Sequence, residues 1–381
     1  MSRTAVLRVD PETSQIGTSG NAGPQNLRRR GWAQDVEIAA RRGGRVMRAP
    51  ERSLRADLAE IAALPVSVEQ RAQDVLEALR RVVPYAAAWI AVRDPETRQH
   101  RPVATEGDTE PLARYFTLPE ADDELEQLGL NRLRPPMCAS DLPAPLAEIH
   151  AWGEYLLPAG FRDGFAMGLF SADGRHLGFI SLLTDDPAER TTAYSGIVET
   201  LRPLLAQTLD RMPSLAAVAR LTGDAVGGVV LTRAGATLPL PGLPDHPLLA
   251  PGSVVPAVAS EHLTGPGAHA SFLCPFAGAA GELVRITVLD CRDQPPDHLS
   301  AVVLVRRRVD PQGLQLADLQ VLGALLYGWR VKQVATAFPG PPLAARLHRM
   351  AAQVQARSPG HLLLHAAREG CYVPPALWRT S

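Results

Sequence analysis

The sequence predicts a chain of mixed class: an α+β region, then a second small β-containing unit, then an all-α four-helix domain at the C-terminus. Three observations predict it. Helical spacing, a buried strand, a hairpin pattern and a second helical run follow one another between residues 64 and 212; strand-like apolar runs separated by proline-rich connections fill 224–308; from Leu314 onward only helical periodicity remains, broken at glycines and prolines. At 381 residues the chain suits two or three cores, and its 46% apolar and 21% charged residues allow them to be buried. The expected boundaries are a disordered arm over 1–53, an α+β domain over 54–212, a β-rich unit over 213–308, and the helical domain over 309–381.

Residues 1–53 are rich in Gly, Arg, Ser and Pro and carry no periodicity, as in Gly17-Thr18-Ser19-Gly20 and Arg41-Arg42-Gly43-Gly44. Such composition reads as an arm without a core, with order beginning near Leu54. Ser67-Val68-Glu69-Gln70 reads as a helix start, with Ser67 as cap and Gln70 reaching back. Val68, Ala72, Val75, Leu76, Leu79 and Val83 then recur on one side until Pro84. Residues 86–92 read as a buried strand ending at Asp94-Pro95. The runs 164–170 and 176–183 flank Ala172-Asp173-Gly174 as a hairpin, and a helix over about 193–212 closes the region.

In the next unit, residues 227–232, 283–289 and 299–305 read as strands. Cys274 and Cys291 lie near them and could face each other. Cys138 and Cys371 are equally isolated, and no C-x-x-C pair, metal motif or cofactor motif occurs. The unit has room for a PAS-like sheet or a bridging or dimerisation role.

Charge is divided unevenly. Net charge is -1, yet the residues from Gly313 onward carry +5 and residues 1–60 carry +4, so the part between carries -10. A basic end behind an acidic body fits one module that meets a polyanion. Lys332 is the only lysine, and it follows Val331, so a phosphate-binding loop ending in Gly-Lys is excluded. No G-x-S-x-G, H-E-x-x-H or Rossmann glycine run is present, and a non-enzymatic role is expected. The absence of a long apolar run and of a signal pattern predicts a cytoplasmic protein without membrane attachment.

In the C-terminal domain, Leu319, Leu322, Leu325 and Leu326 form an apolar face ahead of Gly328. Val331, Val334, Ala335 and Phe338 form a short second helix before Pro339-Gly340-Pro341-Pro342. A third helix turns Leu343, Leu347, Met350, Ala351 and Val354 inward and Ala345, Arg346, His348, Arg349 and Gln353 outward. A fourth runs through Leu362, Leu363, Ala366 and Ala367 to Gly370. Two short helices around a tight turn, the second projecting arginines, have the geometry that enters a major groove.

Leu314 onward resembles the LuxR-type helix-turn-helix, whose first helix reads L-T-x-R-E-L-E-V-L-x-L-L-x-x-G. Leu314, Asp318, Leu319, Val321, Leu322, Leu325, Leu326 and Gly328 match that line, as do Lys332, Val334, Ala335 and the closing residues 367–374. The order of elements over 64–212 resembles a GAF domain. A GAF-like sensor ahead of such a domain, with almost exclusive use of arginine, is similar to actinobacterial regulators from high-GC genomes. The resemblance implies a transcription regulator that binds double-stranded DNA as a homodimer and is gated by a small molecule or protein partner. It places Arg346, His348 and Arg349 on the recognition helix and Arg330, Lys332 and Arg357 against phosphates. It implies a sensor pocket walled by Trp89, Phe116, Trp152, Tyr155 and Phe161.

The motif also departs from the pattern. Gln315 and Arg330 stand where Thr or Ser caps the first two helices, and Pro342 stands where the third helix expects Thr, after a turn about two residues short. Each missing cap is expected to cost about 1 kcal/mol, and Pro342 suits the first helical position. The replaced side chains are also phosphate ligands in the family, so a second reading stays open: a degenerate paralogue that no longer reads DNA and acts through protein–protein contact.

Overall fold

The computed structural model describes residues 49–186, 192–221, 223–264, 269–276, 282–292, 295–307 and 309–378. The arm expected over 1–53 lies outside them up to residue 48. Its last residues are helical, because α1 spans Ala49–Ala63, so helical structure begins before Leu54. Helix α2 (Val68–Arg80) starts where expected: the Ser67 hydroxyl accepts from Gln70 N at 3.2 Å. The return half of that box does not form, since the Gln70 amide donates instead to Asp74 at 2.8 Å.

The first sheet comprises β1 (Ala87–Arg93), β2 (His100–Glu106), β3 (Met137–Cys138), β4 (Asp163–Phe170) and β5 (His176–Thr184) in the antiparallel order β2-β1-β5-β4-β3. Strand alternation divides its residues between two cores. Ala88, Ile90, Val92, Phe165, Met167 and Leu169 meet α1, α2 and the closing helix α5 (Thr192–Leu209). Ala87, Trp89, Ala91, Phe179 and Leu183 meet the middle segment, which contains α3 (Glu110–Tyr115), α4 (Ala121–Gln127) and a π-helical turn over Ala151–Leu156.

After α6 (Met212–Leu221) comes a second five-stranded sheet: β6 (Ala225–Thr232), β7 (Thr237–Pro239), β8 (His269–Phe276), β9 (Glu282–Asp290) and β10 (Leu299–Arg306). Its order β7-β6-β10-β9-β8 repeats that of the first sheet, strand for strand, and is again antiparallel throughout. One face packs on α6 through Val230, Val302 and Leu304. Cys291 joins that core while Cys274 lies in the core on the opposite face, so the expected facing pair does not form. All four cysteines are buried, and none of them forms a disulfide. The adjacency that suggested a pair was one of sequence, and the sheet itself separates them.

The C-terminal domain contains α8 (Leu316–Leu326), α9 (Val331–Ala337), α10 (Leu343–Gln353) and α11 (Pro359–Glu369). Leu319, Leu322, Val334, Met350 and Leu362 form one continuous core with Phe272, Ile286 and Val303 of the second sheet and Val258 of α7 (Val254–Glu261). Leu273 N donates to Tyr372 O at 2.8 Å, extending the edge strand β8 by one bond into the C-terminal segment, and the Tyr372 hydroxyl lies 2.9 Å from His262 Nε2. Gly370 closes α11 with φ +64, in contact with Ser271 of β8. No described helix is long and apolar enough to cross a membrane.

Val373 binds α8 so closely that Gly323 is required. Val373 N donates to Leu319 O at 3.1 Å, and a Cβ on Gly323 would stand 1.9 Å from Val373 O. Gly323→Ala is therefore expected to lower stability by about 2–3 kcal/mol, although alanine is favoured over glycine by about 1 kcal/mol in a helix. An unchanged melting temperature would show that the C-terminal segment does not hold this position.

Candidate functional site

Helix α10 is positioned by its inward residues. Met350 and Ala351 are buried and Leu343, Leu347 and Val354 are half-buried against α9 and α11, as the spacing predicts. Ala344, Ala345, His348, Arg349 and Ala352 are exposed on the other side, a face of small and basic residues. His348 Nδ1 lies 2.8 Å from Ala344 O, inside its own helix.

Arg346 does not share that outward face. Its Nε donates to Asp318 Oδ1 at 2.8 Å, its guanidinium lies over the Phe338 ring, and its side chain is only 13% exposed. Arg349 Nη2 donates to the same Asp318 oxygen at 2.8 Å, but this side chain stays 51% exposed. A carboxylate buried at α8 draws one arginine inward wholly and the other in part, which helical spacing alone does not reveal. Burial would raise the Asp318 carboxyl, but the Arg349 and Arg346 hydrogen bonds prevail and hold it below the usual carboxylate range. Arg330 and Lys332 at the start of α9 and Arg357 beyond α10 are exposed.

At both altered caps the reciprocal half of the capping box forms. Asp318 Oδ2 accepts from Gln315 N at 3.3 Å, and Gln333 Oε1 accepts from Arg330 N at 2.7 Å. Each is the third helical residue reaching back, so the cap residue's own N–H is satisfied, while the first-turn donors that a Thr or Ser side chain would serve gain no side-chain cap. Pro342 takes the cap position itself (φ -50, ψ 135) rather than the first helical one, and its carbonyl accepts from Arg346 N at 3.1 Å. Trp329, Phe338 and Trp378 form an aromatic cluster bracing these helices, with Trp329 and Phe338 each 5.2 Å from the Trp378 ring.

The second feature is an apolar cavity of about 70 Å³ between the first sheet and its middle segment. Phe116 and Trp152 line it; Trp89, Tyr155 and Phe161 do not. Trp89 is buried in the wall behind, stacked 5.8 Å from Phe116, and its indole N–H has no acceptor. Phe161 is buried core, and Tyr155 packs on Tyr115 and His150 at 5.7 Å from each. Tyr115, Leu125 and Glu124 are lining residues the aromatic pattern does not predict. Glu124 fixes the π-helical turn by accepting from His150 N at 2.9 Å and Ala151 N at 3.2 Å, and it also accepts from the Tyr115 hydroxyl at 2.5 Å.

Beside the cavity, Asp122 of α4 gathers two arginines and a histidine. Arg93 donates to it at 2.7 and 2.8 Å, Arg98 at 2.6 Å, and His100 Nε2 lies at 2.8 Å. Arg93 and Arg98 flank the β1–β2 turn, whose outer side contacts the second sheet: Arg233 Nη2 donates to Asp94 at 2.6 Å, and Ala234 N to Glu96 at 3.0 Å. Charged hydrogen bonds thus connect the cavity-lining helix α4 to the β6–β7 turn. Among the described residues no cluster of His, Cys, Asp and Glu is arranged to hold a metal.

No family model matches the chain, and no curated protein matches it. Solved structures similar to it include a bacteriophytochrome from the photosynthetic bacterium R. palustris, with 13% identity, 70% of this chain and 64% of that chain covered, and a TM-score of 0.33. This chain therefore spans less than two thirds of that protein. It is also similar to the nlh2 gaf domain of A. aeolicus in an inactive state (13% identity, 42% of this chain and 94% of that one, TM-score 0.29). A third is an N-acylhomoserine lactone dependent LuxR family transcription factor from Burkholderia cenocepacia (19% identity, 44% of this chain and 99% of that one, TM-score 0.33).

Proposed function

We propose that the chain is a DNA-binding transcription regulator of LuxR type, gated by a small molecule or partner at a GAF-like first sheet. The observation that carries this reading is the outward face of α10. It is small and basic, flanked by the exposed cations Arg330, Lys332 and Arg357, and the domain's strongly buried carboxylate is already neutralised by Arg346 and Arg349. Small side chains let a helix backbone approach base edges, and arginine reads guanine while lysine and arginine meet phosphates. Arg349 has five N–H donors, of which Asp318 and Gln353 take two. A homodimer would place two such helices on half-sites about 34–36 Å apart.

The test is an electrophoretic shift series on the full-length protein with duplex DNA at increasing salt. Affinity is expected to fall steeply with salt, and Lys332→Gln or Arg357→Gln to reduce the log–log slope by about 0.9 each. No retardation even at low salt would sink the reading. The protein–protein alternative is favoured by one observation: Val331, at the exposed start of α9, is 63% exposed and Tyr327 beside it 38%. A chain that fails to shift DNA but loses a partner on Val331→Ser would support it.

A further inference from the structure

Strand β4 has two unlike faces. Phe165, Met167 and Leu169 point into the helix-covered core, whereas Gly164, Ala166 and Gly168 point toward the middle segment. Same-face residues of a strand stand about 6.8 Å apart, so these three floor a trough roughly 13 Å long. Gly164 and Ala166 line the apolar cavity, and Gly168 lines a second pocket of about 180 Å³ at the sheet edge.

Leu130 and Met137 line both spaces and stand between them. The partition is tight at Gly168, where a Cβ would come within 2.3 Å of Leu130 O. The outer pocket is of mixed polarity where the inner one is mainly apolar. Arg132 and Arg134 stand exposed on its rim, and neither guanidinium forms an ion pair among the described residues. Asp141 shares the rim but is engaged locally, accepting from Cys138 N at 3.3 Å and from the Ser140 hydroxyl at 3.5 Å.

We propose that the trough over β4 is a binding site for an amphipathic anion, an acyl chain whose carboxylate or phosphate head meets Arg132 and Arg134. The tail lies over Ala166 and Gly164 toward Trp152, which requires the Leu130 main chain, whose carbonyl stands over Gly168, to move together with the Leu130 and Met137 side chains. This rests on the sensor part of the proposed function and names its ligand class. The inner cavity alone is far below the few hundred Å³ of an ordinary ligand site, so occupancy requires the partition to open. Apolar burial of the tail then provides most of the affinity, and the arginines select the charge.

The experiment titrates full-length protein with dodecanoate, dodecyl phosphate, dodecanol and octanoate below their micellar concentrations, by calorimetry and by tryptophan emission, to which Trp152 reports. Saturable binding of an anion is expected, about tenfold tighter than of dodecanol and tighter than of octanoate; whichever anion binds better identifies the source as a free acid or a phosphorylated lipid. Ala166→Leu fills the trough and is expected to abolish binding. The surface pair Arg132→Gln with Arg134→Gln reduces both anions to the affinity of dodecanol, and decides the matter if Ala166→Leu does not fold. Failure of every amphiphile to bind, equal affinity for dodecanol, or full binding by folded Ala166→Leu overturns the proposal. A DNA shift on the same preparation separates the two claims: DNA bound without any amphiphile overturns this inference alone, and an amphiphile bound without DNA leaves it standing while the DNA reading fails.

Discussion

Replacing Asp122 by alanine is expected to destabilise the first sheet unit by about 3 kcal/mol or more. Removing one member of a buried ion pair costs about 3–5 kcal/mol because the remaining charge is left without a partner. Asp122 is 8% exposed and answers Arg93, Arg98 and His100, of which Arg93 and His100 are largely buried. Arg98 is 45% exposed and regains water, which places the expected loss toward the lower end. Asp122→Asn keeps the shape but not the charge and should lose nearly as much.

The pH dependence follows from the same contacts. Burial alone would raise the Asp122 carboxyl, but hydrogen bonds from Arg93, His100 and Arg98 hold it far below its ordinary value. A carboxyl depressed in the folded state stabilises fully above its unfolded value, about 3.9, and this stability is lost as pH falls through the folded value. Wild type should therefore lose stability below about pH 4, and the variant should show a flatter acid limb. Because a chain with two sheets need not unfold in one step, the measurement is calorimetry of the full protein together with hydrogen exchange on α4 and the β1–β2 turn. A melting temperature unchanged within error would show that the two arginines and the histidine do not depend on this carboxylate. Faster exchange is also expected in the β6–β7 turn, because Asp94 and Glu96 reach it through the turn that Asp122 braces.

Asp318→Ala is expected to have a comparable cost, about 3–5 kcal/mol, with a second consequence for DNA. The carboxylate is 1% exposed, accepts from Gln315 N at the cap of α8, and fixes Arg346 and Arg349 of α10. Its loss leaves Arg346 buried without an anion and removes the bond that orients Arg349. Thermal unfolding should shift strongly, and DNA affinity measured where the variant is still folded should fall more than in Lys332→Gln. Gln315→Ala, which keeps the backbone donor, should leave both nearly unchanged. An Asp318→Ala protein as stable as wild type would remove the basis for treating this residue as the fixed point between α8 and α10. Its carboxyl too is held low against the effect of burial, so its contribution is present above about pH 4 and fades on acidification.

Local periodicity located most elements. The Ser67 cap, the run from Val68 to Leu79, the Ala172-Asp173-Gly174 turn and the four C-terminal helices all follow from spacing and from residues with fixed backbone preferences. Strands β7 and β8 did not show, because Thr237–Pro239 is short and His269–Phe276 mixes polar and apolar residues without alternation. The cavity was half legible. Large aromatics are natural walls, and Phe116 and Trp152 are such, but Trp89 and Phe161 are equally aromatic and serve as core. What makes the space is the opposite signal, the small residues Gly164, Ala166 and Gly168, whose meaning depends on which face of β4 they occupy.

Composition and local spacing located most helices and strands, made the C-terminal end basic, and left the chain without a Gly-Lys phosphate loop or a G-x-S-x-G elbow. These are properties of composition and of contacts within a few residues. Only the tertiary structure decided that both sheets share one strand order, that Cys274 and Cys291 lie on opposite faces, and that the C-terminal helices share a core with the second sheet. It also decided the roles of the arginines. Arg346 and Arg349 are three residues apart on one helix and alike in sequence, yet a buried carboxylate 28 and 31 residues away draws in the first and leaves the second half exposed. A charge buried in low dielectric selects its partner by distance in space, and that distance is set by how α8 packs on α10.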